Sequence, residues 1–485
     1  MPPANAKISA SPLTKGMEVD LVIDKLAFGG KALGRVDGFV VFVEHAIPGQ
    51  KVRVKITRKK AQFAEAQVLR LLEQSPAYTP PFCRHFGVCG GCQWQDVAYG
   101  EQLHWKRLQV QESLRRLEGL EPEKILAPVA SPQQIYYRNK MEFTFASRPW
   151  LPAGQRGGGK SPKGYCVLGL HVGSSFENIF DLEECFLQSP LAPAIVREVR
   201  AWCRRSRLPA YDTRSHRGFW RFLVLREGKG TGQMLAHLLT TDQGEAGAVA
   251  ALAAHLQARF PELTTMVHSC SLKKAQVASG EATRVFWGPG YIEEQLGDLR
   301  LRISPQAFLQ TNTAAAAELY EAISRLGGFT GKETAWDLYC GAGSIALSLA
   351  ARVRRVVGFE IVPEAVDAAY VNSRLNGLDN CRFLAGDLKE MIREAIGSPR
   401  HYPRPQVLIT DPPRSGMHPQ VVQAIQELAP RRVFYVSCNP ATLARDLALL
   451  QDQYEILTVQ PFDFFPHTAH IECLACLERR QATSG

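Results

Sequence analysis

The chain has 485 residues, more than one hydrophobic core usually spans, so three or four domains are expected. Its 45% apolar and 21% charged residues exclude a disordered or coiled-coil chain, and no apolar run approaches the ~18 residues of a membrane span. The net charge of +10 is uneven, with 12 Lys/Arg against 7 Asp/Glu over residues 1–82, 28 against 21 over 83–310 and 17 against 19 over 311–485. A basic front that grips a polyanion and a near-neutral back that holds a pocket would give this pattern, and so would an uneven solvated surface.

Residues 1–12 read as a flexible tail without the apolar stretch of a secretory signal. A reducing, cytoplasmic setting is therefore expected, with the 12 cysteines free of disulfides. From 13 to 73, short alternating segments broken at Gly29-Gly30, Asp37-Gly38 and Pro48-Gly49 predict a small antiparallel barrel. Lys51, Arg53, Lys55, Arg58, Lys59 and Lys60 fall on or just after one of its strands. With Phe28 and Phe63 they offer either a polynucleotide groove or a plain charged face.

SPAYTPPF (75–82) reads as a linker, and Cys83-x5-Cys89-x2-Cys92 follows it. An amphipathic helix is predicted over 99–120, with Leu103, Leu114 and Leu117 among its apolar positions. Residues 136–310 read as mixed and β-rich, interrupted by a basic helix-like stretch. There, between Arg197 and Lys229, ten Lys/Arg stand against three acids, interleaved with Trp202, Tyr211, Phe219 and Trp220. That pairing predicts phosphate contacts and stacking faces for unpaired bases. Gly154 to Ser161 satisfies the phosphate-loop string, but no apolar strand precedes it, and Pro162 and Gly164 forbid the helix that would bind phosphate, so it reads as a flexible basic loop.

From 311 onward, apolar strands and helices alternate, predicting an open, mostly parallel, doubly wound sheet with ligands at the C-terminal strand ends. Asp337-Leu-Tyr339-Cys-Gly341-Ala-Gly343-Ser344 links a strand to a helix, with glycines that let the backbone approach a ligand. Glu360 ends the next strand, where a carboxylate can accept ribose hydroxyls. Gly341-x-Gly343-x-x-Ala346 also fits the dinucleotide fingerprint, so an NAD oxidoreductase stays open at this point. Asp387 closes the third strand, as an adenine cap or a turn aspartate. The next two strands end in Asp411-Pro-Pro-Arg414 and Ser437-Cys438-Asn439-Pro440. Cys438, at a strand end and ahead of a helix N-terminus that would favour its thiolate, is well sited to be a nucleophile. Phe465 to Glu472 then places His467, His470 and a carboxylate in an apolar stretch, with zinc ligation by the histidines as the rival explanation.

Together DLYCGAGS, DPPRSG, SCNPATLARD and FPHTAHIE resemble the S-adenosylmethionine-dependent RNA uracil-C5 methyltransferases, the family of the 23S rRNA and tRNA 5-methyluridine enzymes, over nearly the whole chain. The resemblance implies a multidomain fold: an N-terminal OB-like barrel of the TRAM type over 13–73, a central mixed β-rich domain over 74–310 with an iron–sulfur cluster and an RNA-binding surface, and a Rossmann-like α/β methyltransferase domain over 311–485. It implies Cys83, Cys89, Cys92 and Cys185 as ligands of a [4Fe-4S] cluster, where spacing alone leaves zinc as the alternative. Cys438 is implied as the nucleophile that adds to uracil C6, and Glu472 as the base that removes the C5 proton. Gln310, Tyr339, Ser344, Glu360, Asp387 and Asp411 are implied as S-adenosylmethionine contacts, with Asp411 also near the uracil edge. Barrel and cysteine cluster together point to 23S rRNA within the family, with tRNA as the alternative substrate and a non-catalytic ribosome-assembly protein as the alternative role. No membrane and no protein partner is implied.

Overall fold

Alternation of apolar and polar residues at a period of two closes the first five strands on themselves. In the computed structural model, which describes residues 13–150, 165–173, 175–241 and 245–481, they are β1 (Glu18–Leu26), β2 (Ala32–Val36), β3 (Phe39–Glu44), β4 (Lys51–Lys59) and β5 (Phe63–Glu73). The tail 1–12 and the string 154–161 lie outside the described residues. The barrel runs β1-β2-β3-β5-β4, with β3 and β5 parallel and the other pairs antiparallel. On β4, Val52, Val54 and Ile56 point inward while Lys51, Arg53 and Lys55 point out. Arg53 pairs with Asp20 at 2.7 Å and Lys51 with Glu73 at 3.1 Å. Exposed pairs of this kind contribute only ~0–1 kcal/mol, so they leave the face available to a stronger anion.

Next comes α1 (Tyr99–Leu114), shorter than the predicted helix because the chain turns at Leu117 and again at Gly119, where φ is +68°. Its buried face is largely polar, carrying Gln102, Lys106 and Gln109 beside Val110 and Leu114. The central sheet is built from β6 (Lys140–Ala146), β7 (Val167–Val172), β8 (Ser175–Asp181), β9 (Trp220–Glu227), β10 (Met234–Thr240), β11 (Leu263–Cys270) and β12 (Thr283–Trp287), in the order β12-β11-β10-β9-β6-β7-β8. Only β10 and β11 are parallel, joined through α3 (Ala246–Arg259), which packs beside α2 (Leu191–Ser206).

Part of the basic stretch 197–229 is internal framework, while Arg205, Arg207, Arg214 and Arg217 stay exposed. Arg200 and Arg204 bind Glu183 and Asp181 at 2.5 Å each, Arg205 pairs with Glu198, Arg214 with Glu177 and Lys229 with Glu227. Arg221 and Arg226 are buried and donate to backbone carbonyls of residues 271–275 and 305–307. Phe219, Trp220 and Tyr211 are buried as well, and Trp202 stacks on His255 at 4.7 Å. A guanidinium or a ring buried in the core is not free to meet RNA, which a count of charges along the chain cannot reveal.

A hairpin, β13 (Ile292–Leu296) and β14 (Leu299–Ile303), leads to α4 (Thr313–Gly327) and shares one core with it through Ile292, Leu301, Ile303, Leu319 and Ile323. The last sheet contains β15 (Thr334–Leu338), β16 (Arg355–Glu360), β17 (Cys381–Ala385), β18 (Val407–Thr410), β19 (Arg432–Ser437), β20 (Tyr454–Phe462) and β21 (Glu472–Arg479). Between the strands lie α5 (Ser344–Ala350), α6 (Pro363–Leu375), α7 (Leu388–Gly397), α8 (Pro419–Leu428) and α9 (Pro440–Leu450). Strand order is β17-β16-β15-β18-β19-β21-β20, five parallel strands followed by β21, antiparallel to them, and β20, which is antiparallel to β21 and so runs with the first five. The order reverses between β15 and β18, which opens the crevice where such sheets bind ligands. Residues 125–129 extend the sheet by pairing parallel to the outer edge of β20, with Leu126 N to Val459 O at 3.0 Å and Val129 N to Pro461 O at 2.9 Å. This segment and the β13–β14 hairpin thus join the C-terminal body, although both precede residue 311. No helix among the described residues is long and apolar enough to cross a membrane.

Candidate active site

Antiparallel pairing of β19 with β21 sets Ser437 opposite Cys473, so the next step along the ladder brings Cys438 and Glu472 together. Cys438 leaves β19 just ahead of α9, whose first turn is capped by Asn439 accepting from Ala441 N at 3.1 Å. Glu472 is buried and its Oε1 has no hydrogen-bond partner. Burial, and then the Asp411 carboxylate, hold its pKa well above the ordinary value. Asp411 follows β18 and accepts from Gln310 Nε2 at 2.9 Å; burial raises it to about 7 against that bond. The Cys438 thiol is pushed up to about 11 by burial, then by Glu472 and Asp411, with Arg414 opposing. At rest it is therefore a thiol, contrary to the thiolate expected from the helix N-terminus, because desolvation and two carboxylates outweigh a helix dipole.

Three further expected residues stand at the same strand ends. Tyr339, after β15, has φ +72°, a left-handed backbone that a side chain adopts only under constraint. Ser344 opens α5 and bonds Tyr320 Oη at 2.9 Å. Glu360 accepts from Gly341 N at 3.0 Å and Val362 N at 2.9 Å, which ties the β15–α5 turn to the end of β16. Ile361 and Val362 beside it are exposed, an apolar seat suited to an adenine ring. Asp387 caps α7 through Lys389 N at 3.0 Å and pairs with the Lys389 ammonium, which lowers its pKa. It stands at the crevice rim as a turn aspartate with an exposed carboxylate. Sequence reasoning gave no role to Tyr320, whose place in an alanine-rich helix carries no local signal. It also passed over buried Asp337, held well above its ordinary pKa by burial and Asp411, although this residue stands inside the quoted DLYCGAGS motif.

Some distance along the chain from these groups, Cys83, Cys89, Cys92 and Cys185 line one pocket, with Phe86, Leu170, Leu182, Phe186 and Leu187 as its apolar wall. Burial raises all four thiols, Cys89 to about 12 and Cys92 to about 11. Among the described residues no three His, Cys, Asp or Glu side chains are grouped to hold a single metal ion. His467 and His470 are included in that, so the zinc explanation for the histidines finds no support. His467 instead bonds Gln102 and Trp94 beside the cysteine loop.

A family model described as tRNA (Uracil-5-)-methyltransferase matches residues 251–480, and a TRAM domain model matches residues 12–69. An uncharacterized RNA methyltransferase of Nitratidesulfovibrio vulgaris is 41% identical over 96% of this chain and 97% of its own length. One from Porphyromonas gingivalis is 39% identical over 94% and 99%. Among solved structures, Pyrococcus abyssi tRNA (uracil-54, C5)-methyltransferase in complex with S-adenosyl-L-homocysteine has a TM-score of 0.74 and 26% identity, covering 95% of this chain and 100% of that one.

Proposed function

Since the chain belongs to the S-adenosylmethionine-dependent RNA uracil-C5 methyltransferases, we propose that it methylates C5 of a uridine in 23S rRNA, with Cys438 as nucleophile and Glu472 as base. The observation that carries the reading is the β19–β21 register, which faces a half-buried thiol with a buried carboxyl that has an unpaired oxygen.

C5 of uracil is too weak a nucleophile to take a methyl group unaided. Cys438 first gives up its thiol proton to solvent; addition of the resulting thiolate to C6 breaks the C5–C6 double bond and places the electron pair at C5. When bound, S-adenosylmethionine supplies an electrophilic sulfonium methyl group. Glu472 then takes the C5 proton, the double bond re-forms and the C6–S bond breaks, returning the thiolate. An acid whose pKa burial has raised is suited to hold that proton. Gln310, Tyr339, Ser344, Glu360 and Asp411 would hold the cofactor in the crevice between β15 and β18, with Asp387 at its rim. A uracil inside a helix cannot present C6 to a thiol, so the target lies in a loop or is flipped at a cost of a few kcal/mol.

Cys83, Cys89, Cys92 and Cys185 would hold a [4Fe-4S] cluster. Four thiols lining one pocket support this reading, with zinc as the alternative. Protein purified without oxygen should be brown and contain iron; a colourless, zinc-loaded sample would overturn the assignment. The barrel would grip RNA by phosphate contacts, and the enzyme would act in the cytoplasm, where RNA and reduced thiols coexist.

A second reading takes tRNA as the substrate, favoured by the near-full-length likeness to the Pyrococcus abyssi tRNA (uracil-54, C5)-methyltransferase. Mapping 5-methyluridine in both RNAs, with and without this protein, decides between them. RNA carrying 5-fluorouridine should form a stable adduct that the Cys438→Ala variant cannot form, since fluorine blocks the last proton removal. An enzyme that binds this RNA without adduct would be an assembly protein instead.

A further inference from the structure

We infer that the buried polar face of α1 is the device that positions Glu472, making Tyr99, Gln102 and Lys106 positioning residues for proton removal. The inference rests on the reaction proposed above.

Residues 463–471 connect β20 to Glu472 without regular structure, and His467 within them has φ +65°. Such a segment holds one shape only if its surroundings over-determine it. Tyr99, Gln102 and Lys106 lie three and four residues apart, hence on one face of α1, and each grips this segment. Lys106 Nζ donates to Asp463 Oδ1 at 2.6 Å and to Phe465 O at 3.1 Å. Tyr99 Oη donates to Asp463 Oδ2 at 2.9 Å, and Phe465 N to Asp463 Oδ1 at 3.1 Å. His467 N donates to Gln102 Oε1 at 2.8 Å, while Gln102 Nε2 donates to Trp94 O and Val97 O and stands 3.2 Å from His467 Nδ1. The opposite grip comes from the cysteine loop, where Gln93 N and Trp94 N both donate to His467 O, at 2.9 and 3.0 Å.

Lys106 and Asp463 are 1% and 0% exposed. A buried ion pair is a poor source of stability, because an apolar pair of similar size does as well or better; its best-attested use is to select one arrangement among several. The arrangement selected here is the one that delivers Glu472 to Cys438 with an oxygen still unpaired. A base must reach its proton within ~2.6–3.2 Å, so a shift of about 1 Å in the segment would slow that step while leaving addition at Cys438, which is anchored on β19 and α9, unchanged.

The test uses full-length Tyr99→Phe and Gln102→Met enzymes with RNA from cells lacking the protein, and with 5-fluorouridine transcripts of the same RNA. Expected is a fall in kcat of about tenfold or more with kcat/KM for RNA unchanged, so that KM falls in step, and an SDS-stable adduct that accumulates on ordinary uridine during turnover. The 5-fluorouridine adduct should form at the wild-type rate. A helix that merely holds the fold would slow addition and turnover together, and that result, or normal turnover in both variants, overturns the inference. If Gln102→Met does not fold, Tyr99→Phe, which removes one hydroxyl, decides. Failure of the wild-type enzyme to form the fluorinated adduct would count against the cysteine mechanism itself.

Discussion

Burial does most to hold the Cys438 thiol un-ionised, and the two acids it faces, Glu472 and then Asp411, add to that. Glu472→Gln removes the larger of the two repulsions, so alkylation of Cys438 by iodoacetamide, read by peptide mass spectrometry, should quicken at about pH 8. Arg414→Ala should slow it. Asp411 makes a second pH-dependent prediction. Its folded pKa of about 7 lies above the ordinary value of 3.8, so the folded state keeps a proton that the unfolded chain has lost. The stability it contributes is complete below 3.8 and disappears as pH rises through about 7. Asp411→Asn should therefore flatten the fall in thermal midpoint across that window, and an unchanged slope would contradict the assignment. The candidate residues themselves were legible in short motifs because strand-end chemistry is local in sequence. Their protonation was not, because it depends on which carboxylates converge from β18 and β21.

At the level of single elements, the strands and helices beyond residue 330 follow directly from apolar runs punctuated by glycine and proline. Two glycines there have specific reasons. A Cβ at Gly358 on β16 would meet Phe383 at 2.6 Å and Cys340 Sγ at 2.8 Å, so Gly358→Ala should cost ~1–3 kcal/mol in denaturant unfolding. Gly343, with φ +86° and Ala369 at 3.1 Å from its would-be Cβ, opens the cofactor turn; alanine there should weaken S-adenosylhomocysteine binding measured by calorimetry as well as stability. The helix α1 was legible as a helix but not as a clamp. Its leucines invite an amphipathic reading, while the face turned inward carries Gln102, Lys106 and Gln109, whose partners lie up to 365 residues away along the chain.

Across the whole molecule, the charge distribution identified the right kind of partner from partly the wrong residues. Arg200, Arg204, Arg221 and Arg226, which a linear count treats as an RNA surface, are neutralised by acids or buried against carbonyls, whereas Lys55 and Lys60 on the barrel form no ion pair among the described residues. Arg204→Ala, which loses Asp181 and the Cys166 carbonyl, should lower the thermal midpoint and leave RNA affinity intact. Lys55→Glu with Lys60→Glu should do the reverse, weakening RNA binding and flattening its log–log salt dependence by about 0.7 for each phosphate of a single-stranded RNA that is no longer neutralised. The strip 125–129 along β20 has a different consequence, one of modularity. It occupies the backbone donors and acceptors that an outer strand otherwise presents to neighbouring molecules. A fragment of residues 311–485 would expose that edge, lose the β13–β14 hairpin from its core and tend to self-associate. Any exchange of the RNA-gripping front for another, in evolution or in the laboratory, must therefore splice around residues 99–129 and 292–303 rather than cut once between halves.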